Sequence, residues 1–157
     1  MGEGICQRIF YLTAKTITRT VAEDCFALLG EQDFSFKTMT ITAKEKMCVL
    51  DKVSCNPGEC ERAKGHYDRV NEAVYDMLTR EKHMTRDVIL AYAEKHQVCP
   101  FEMGLDAALF GDAIICDYNY VFDPNVYLRR FFSSDKKSDA VVLVDEAHNL
   151  VERGREM

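Results

Sequence analysis

The sequence predicts an α/β fold: a parallel sheet interrupted by a small, mainly helical insert. Three observations carry that expectation. Short β-branched and aromatic runs of strand length recur at residues 8–13, 36–42, 113–116 and 140–144. Helical periodicity lies between them. After Lys44 the character changes, with dense charge and three cysteines within thirteen positions.

The elements follow in order. Residues 8–13 (Arg-Ile-Phe-Tyr-Leu-Thr) read as a buried strand. Ile17, Val21, Cys25 and Leu28 recur at helical spacing, with Gly30 as the expected C-terminal cap. Residues 36–42 alternate as a second strand, so the first 42 residues read as a β-α-β unit. Cys55-Asn56-Pro57-Gly58 is a turn signal. Tyr67, Val70, Val74 and Leu78 mark one amphipathic helix, and Val88, Ile89, Tyr92 and Ala93 mark another behind Thr85 as N-cap. Pro100 opens a third helix expected to run to Gly111. The run 140–144 is continuously apolar, as in parallel strands covered on both faces, and residues 133–139 read as a solvated loop before it. The sheet layer therefore comprises residues 1–43 and 108–157, and the insert residues 44–107.

Composition excludes several classes. With 47% apolar and 29% charged residues the chain is an ordinary globular protein. No apolar run approaches the roughly 20 residues a bilayer span needs. Arg8 interrupts the only N-terminal apolar stretch, so no signal peptide is read there. A cytoplasmic location without a membrane partner is expected. The net charge of -6 argues against a surface that grips nucleic acid all round, and leaves room for a local basic groove. Seven cysteines, an odd number, point to metal ligation rather than a disulfide framework in a reducing compartment.

Cys48, Cys55, Cys60 and Cys99 are separated by six, four and thirty-eight residues. Four thiolates brought together can hold a tetrahedral zinc or a cubane cluster. Only one short pair is present, where zinc sites usually carry two, which tilts the reading toward iron-sulfur. Four unrelated buried thiols are the alternative. Cys6, Cys25 and Cys116 lie in apolar periodic segments and read as core residues.

Asp145-Glu146-Ala147-His148 directly follows the last apolar run. That carboxyl edge of a parallel sheet is where ligands bind. An aspartate there can hold Mg²⁺, and the next glutamate can orient a water toward a γ-phosphate. His148, one turn on, can sense the phosphates. A solvated turn or a helix N-cap is the alternative. The phosphate-cradling pattern G-x-x-x-x-G-K-[ST] occurs nowhere, so the chain is not expected to complete an ATP site alone.

Taken together, the segments Tyr11-Leu12-Thr13-Ala14-Lys15-Thr16, Lys46-Met47-Cys48, Cys55-Asn56-Pro57, Cys60, Cys99-Pro100-Phe101-Glu102, residues 117–124 and Asp145-Glu146-Ala147-His148-Asn149-Leu150 resemble, in order and spacing, the DinG/XPD-type helicases of superfamily 2, and within them the bacterial DinG-like group. The resemblance covers nearly the whole chain. It implies a partial RecA-like motor domain spanning motif Ia to motif II, with a 4Fe-4S cluster held by Cys48, Cys55, Cys60 and Cys99. It further implies Mg²⁺ at Asp145, water activation by Glu146, and single-strand contact by Thr13 and Thr16. The parent activity it implies is ATP-dependent 5′ to 3′ translocation on single-stranded or forked DNA. The phosphate-binding loop, the arch domain and the second motor domain of such enzymes are not among these residues, so a fragment inactive by itself is expected.

Arg62, Lys64, His66 and Arg69 form a basic cluster past Cys60, and Arg129 and Arg130 adjoin Phe131 and Phe132. Both are candidate DNA contacts, with Tyr67 either stacking on a base or joining the apolar stripe of its helix. Three competing readings are a structural zinc module without motor function, a small iron-sulfur electron carrier and an inert remnant. The carrier is disfavoured because ferredoxin ligands cluster more tightly.

Overall fold

Five strands form one all-parallel sheet in a computed structural model that describes residues 6–32, 35–126, 128–132 and 139–156. In chain order the elements are β1 (Arg8–Leu12), α1 (Thr16–Glu31), β2 (Thr38–Thr40), α2 (Lys44–Met47), α3 (His66–Arg80), β3 (His83–Met84), α4 (Arg86–His96), α5 (Pro100–Ala108), β4 (Ala113–Cys116), α6 (Asn119–Phe122), α7 (Arg129–Phe132), β5 (Ala140–Val144), a 3-10 turn (Ala147–Asn149) and α8 (Leu150–Glu156). The strand order is β3-β2-β4-β1-β5. The parallel α/β layer expected from the sequence is present. Residues 133–138 of the expected loop lie outside the described residues.

The two ends of the predicted β-α-β unit are not neighbours, because β4 lies between β1 and β2 and pairs with both. Its four residues Ala-Ile-Ile-Cys are fully buried. Side chains alternate across a strand, so the sheet divides its apolar residues between two layers. Phe10, Leu12, Met39, Ile114 and Cys116, with Met84 of β3, share one core with Val70, Met77, Ile89 and Met103 of the helical layer. Ala113 and Ile115 face the other way, against Ala22 and Phe26 of α1. The turn from α5 into β4 closes on Gly111, where a Cβ would stand 2.9 Å from Ile114 Cδ1. Strand β3, within the segment read as a mainly helical insert, extends the sheet by pairing with β2.

Helix α1 forms where expected but buries a different face. Ile17, Val21 and Leu28 are exposed at 79%, 61% and 62%, whereas Ala22 and Phe26 are buried. The two stripes lie roughly 140° apart at 100° per residue, so both have helical spacing and only contact with the sheet selects between them. Phe26 is selected because it packs edge-on against Phe36, with ring centroids 5.6 Å apart. Cys25, read as core, is exposed for the same reason. Gly30 does not end the helix, which continues to Glu31 with Gln32 as its cap. The third helix of the insert stops at Ala108, short of Gly111. In α3 the buried stripe is His66, Val70, Ala73, Val74 and Met77. Tyr67 lies off that stripe and is 85% exposed, which overturns its reading as core. Strand β5 is parallel as expected, but Val141, Val142 and Leu143 at the sheet edge remain partly exposed.

Polar contacts hold α3 against α4. Asp76 accepts Lys95 Nζ at 2.6 Å and His96 Nε2 at 2.8 Å, and pairs with Arg80 at 2.8 Å. The hydrogen bonds from Lys95 and His96, joined by the nearby charges of Lys95 and Arg80, hold its carboxyl well below the usual carboxylate range.

Two outcomes follow from this packing. Phe26→Ala is expected to lower unfolding stability by about 3–5 kcal/mol, while Ile17→Ser stays within about 0.5 kcal/mol. Urea titrations of both variants check which face of α1 is buried. Because the folded-state value of Asp76 is depressed, its stabilisation is full above the ordinary carboxylate range and is lost as pH falls through and below it. Asp76→Asn should therefore flatten the acid limb of stability against pH, and an unchanged limb would rule out this clamp.

Candidate functional site

The register levels the carboxyl ends of three strands. Leu12 aligns with Cys116 on one side and with Val144 on the other. The residues that follow, Thr13, Asp117 and Asp145, therefore lie abreast on the sheet edge. The ladder reaches one step past the strands, with Asp145 N donating to Leu12 O at 2.9 Å and Thr13 N to Cys116 O at 3.0 Å. Asp145 is half-buried there. Glu146 turns the chain with φ of 52°, a left-handed conformation that costs a non-glycine residue roughly 1–2 kcal/mol. Its carboxylate lies 3.2 Å from His148 Nδ1 in an exposed pair. Exposed pairs of this kind contribute little stability.

What holds this turn is Tyr118. It is fully buried, and its hydroxyl donates to the carbonyl of Asp145 and, at 3.3 Å, to that of Glu146. Burial raises its phenol above the ordinary value, with the charges of Asp145, Asp117 and Glu146 adding to the shift. Asp117 meets Arg153 of α8 at 3.5 Å. Thr13 is 1% exposed, and its Oγ1 engages Thr18 Oγ1 and the backbone of Lys15. Thr16 is exposed at the start of α1. It lines a cleft of about 730 Å³ with Arg19, Lys46, Asp117, Asn119 and Arg129, among others.

A second site lies beside the helical layer. Cys48, Cys55, Cys60 and Cys99 all line one cavity of about 240 Å³. Each is set by local backbone chemistry. Cys48 ends α2, its amide bonded to Lys44 O at 2.8 Å. Asn56 Oδ1 accepts Gly58 N at 3.0 Å, and Asn56 O accepts Cys60 N at 2.9 Å, which folds the Cys55–Cys60 turn. Cys99 is the N-cap of α5, where Pro100 occupies the first turn. Burial pushes its thiol up, and the backbone N–H groups of Glu102 and Phe101 oppose that. Cys60 is buried, Cys48 and Cys99 are half-buried and Cys55 is exposed. Among the described residues, no three His, Cys, Asp or Glu side chains group closely enough to hold a metal ion.

Cations frame this cavity. Lys44 lines both it and the larger cleft, with Nζ 3.8 Å from Glu102 and 5.2 Å from the Phe101 ring centre. Burial alone would lower the Lys44 pKa, but the hydrogen bond to Cys55 and the charges of Cys55, Glu102 and Cys99 outweigh it and raise the value. Of the basic cluster, Arg62 donates to Ala93 O at 2.7 Å and pairs with Glu94, and Arg69 donates to Gln97 O at 2.8 Å. These guanidinium groups satisfy carbonyls at the C-terminal end of α4. Arg130 pairs with Asp106 and with Glu102. His66 is buried on the cavity wall. Of the three remaining thiols, Cys6 and Cys116 are buried and lie apart from the cavity, as expected.

Sequence reasoning missed Lys44, Tyr118 and the burial of His66. The spacing of His66 to Val70, Ala73 and Met77 carried a signal for that burial, which its basic neighbours obscured.

The family model DEAD_2 matches residues 12–157. The chain is similar to the Regulator of telomere elongation helicase 1 homolog of Caenorhabditis elegans, 26% identical over 158 aligned residues that cover 90% of this chain and 15% of that protein. It is similar to the general transcription and DNA repair factor IIH helicase subunit XPD of Dictyostelium discoideum, 36% identical over 59 residues, 38% of this chain and 7% of that protein. The corresponding subunit XPD/RAD3 of Saccharomyces cerevisiae is 24% identical over 147 residues, 78% of this chain and 18% of that protein. The chain thus spans less than a fifth of the length of these relatives.

Tyr118→Phe is expected to cost about 0.5–1.5 kcal/mol and to speed amide exchange at residues 145–149. Unchanged exchange there would show that the hydroxyl does not hold the turn.

Proposed function

The chain belongs to the DEAD_2 family, and from that premise we propose that it is the cluster-bearing part of the first motor domain of an ATP-dependent DNA helicase of the DinG/XPD type. Three relatives are named as helicases, and two of them as DNA repair factors. The observation that carries the reading is the presence of two features in one fold. A four-cysteine cavity adjoins the helical layer, and an aspartate-glutamate pair follows the strand that ends at Val144.

The cavity suits a 4Fe-4S cluster on its own terms. Zinc needs four donors about 2.0–2.3 Å from a single point, whereas a cluster is gripped from around its outside. Four cysteines on the wall of a common cavity supply the donor type that such a cluster takes. Cys48, Cys55, Cys60 and Cys99 would be the ligands, and the cluster's contribution would be structural, tying residues 44–107 into a rigid unit. Residues 1–43 and 108–157 would form the motor layer.

At the sheet edge Asp145 would hold Mg²⁺ and Glu146 would orient water toward the γ-phosphate of ATP, the ion supplying charge neutralisation at the phosphates. Tyr118 keeps the turn that carries both carboxylates from relaxing. The basic cleft beside Thr16 would carry single-stranded DNA, with 5′ to 3′ travel and forked DNA as the working substrate. Thr13, buried, would shape the motif Ia turn from within. No helix of the described residues is long and apolar enough to cross a membrane. A cytoplasmic setting suits the reduced thiols. Lacking a phosphate-cradling loop, these 157 residues by themselves should not turn over ATP.

Anaerobic purification followed by iron, sulfide and zinc analysis tests the reading. About four irons and four sulfides per chain are expected, lost in C48S, C55S, C60S and C99S and retained in C25S. Stoichiometric zinc, or no metal after reconstitution, would overturn it in favour of a zinc module or an inert remnant.

A further inference from the structure

Of the described side chains lining the cleft of about 730 Å³, six are cationic and two, Glu45 and Asp117, are anionic. One of the cations, Arg130 of α7, already carries partners. Its two terminal nitrogens meet different carboxylates of α5: Nη1 donates to Asp106 Oδ1, and Nη2 lies 3.2 Å from Glu102 Oε2. The other oxygen of Glu102 lies 3.8 Å from Lys44 Nζ, a second cation of the cleft.

Glu102 and Asp106 are four residues apart on one helix, so they stand side by side, about 5–6 Å apart at Cβ. Like charges at that spacing repel, and Arg130 offsets the repulsion. A guanidinium binds carboxylate and phosphate through the same planar fork. Two carboxylates side by side on Arg130 therefore resemble the neighbouring phosphates of a single strand.

None of these three side chains is buried: Arg130 is 39% exposed, Glu102 37% and Asp106 32%. Ion pairs so exposed contribute little stability, and water can take over either partner. Exchange of one anion for another at Arg130 is thus cheap. When Arg130 leaves, Glu102 keeps Lys44 and Asp106 is rehydrated at the surface. The cationic excess of the cleft draws an incoming phosphate, and the two acids of α5 oppose it locally.

We propose that Arg130 is a backbone-phosphate contact for single-stranded DNA in the cleft, and that Glu102 and Asp106 are internal competitors which the phosphate displaces. The inference rests on the reading of the cleft as the DNA path and is independent of what the cysteine cavity holds. A strand that also engages other cations of the cleft outcompetes the acids, whereas a single phosphate gains only the exchange of one anion for another. The acids therefore select polymers over small anions.

The anaerobically purified chain is titrated against labelled oligothymidine by fluorescence anisotropy at several salt concentrations, with thermal unfolding of each variant recorded alongside. Arg130→Gln is expected to weaken binding and to flatten the dependence of log K on log salt by up to about 0.7, the share of one phosphate on a single strand. Asp106→Asn is expected to tighten binding about two- to fivefold at low salt, and to lose that gain when combined with Arg130→Gln. Glu72→Gln makes the same charge change at an exposed position of α3 outside the cleft, and is expected to leave affinity unaltered. Inorganic phosphate at matched ionic strength should compete poorly with the oligonucleotide. Unchanged affinity in a folded Arg130→Gln overturns the proposal, and a lower melting temperature with unaltered affinity would make Arg130 a strut between α5 and α7. A gain from Asp106→Asn that persists beside Arg130→Gln, or that Glu72→Gln matches, also overturns it, since net charge alone would then account for the effect. Should Arg130→Gln fail to fold, the comparison of Asp106→Asn with Glu72→Gln still decides. If the unaltered chain binds no oligothymidine, the reading of the cleft has failed and the proposal with it, and that outcome is visible before any variant is made.

Discussion

Strand β4 must be covered on both faces, and most of this architecture answers to that constraint. Its residues alternate between two cores, Ile114 and Cys116 toward the helical layer and Ala113 and Ile115 toward α1. Lying between β1 and β2, it makes the sheet impossible to complete with the helices on one side only. The helices that close it on one face are those that carry Cys99 and His66. Strand β4 ends level with β1 beside it and with β5 beyond, which lines up Thr13, Asp117 and Asp145 on one edge. The sheet edge that carries Asp145 and the cysteine cavity therefore share one piece of packing.

The two sites are stabilised in different ways. At the sheet edge the backbone does the positioning: a ladder hydrogen bond fixes Asp145, a left-handed residue turns the chain, and a buried tyrosine hydroxyl holds the carbonyls of the turn. Around the cysteines, side chains bond to backbone. Arg62, Arg69 and His66 each satisfy a backbone group that helix ends or loops leave open. Basic residues that looked available for nucleic acid are thus partly committed to internal structure. The basic character of the cleft instead comes from residues on several elements, including Arg19, Lys46 and Arg129.

Local chemistry was enough to identify much of this in the sequence. Apolar runs of strand length, the turn after Cys55, Pro100 opening a helix and two carboxylates after a strand all depend on neighbours within a few residues. Those features stand in the structure where they were read. The chemistry they could support is readable before any distance is known, because thiols and carboxylates are identified by residue type and spacing.

Tertiary structure alone decided the rest, since periodicity gives the spacing of a stripe and not the surface it meets. Helix α1 offers two apolar stripes, and contact with Phe36 and the sheet chose Phe26 over Ile17, leaving Cys25 outside. In α3 a one-residue offset exchanged the fates of His66 and Tyr67, burying the first and exposing the second. The insertion of β4 between β1 and β2, the addition of β3 to the sheet and the bond from Tyr118 to the turn after β5 join residues far apart in sequence. The sequence by itself determined which residues can ligate, cap and alternate. Only the packed chain decided which of their faces is inside, because burial is a contest among surfaces that no local pattern records.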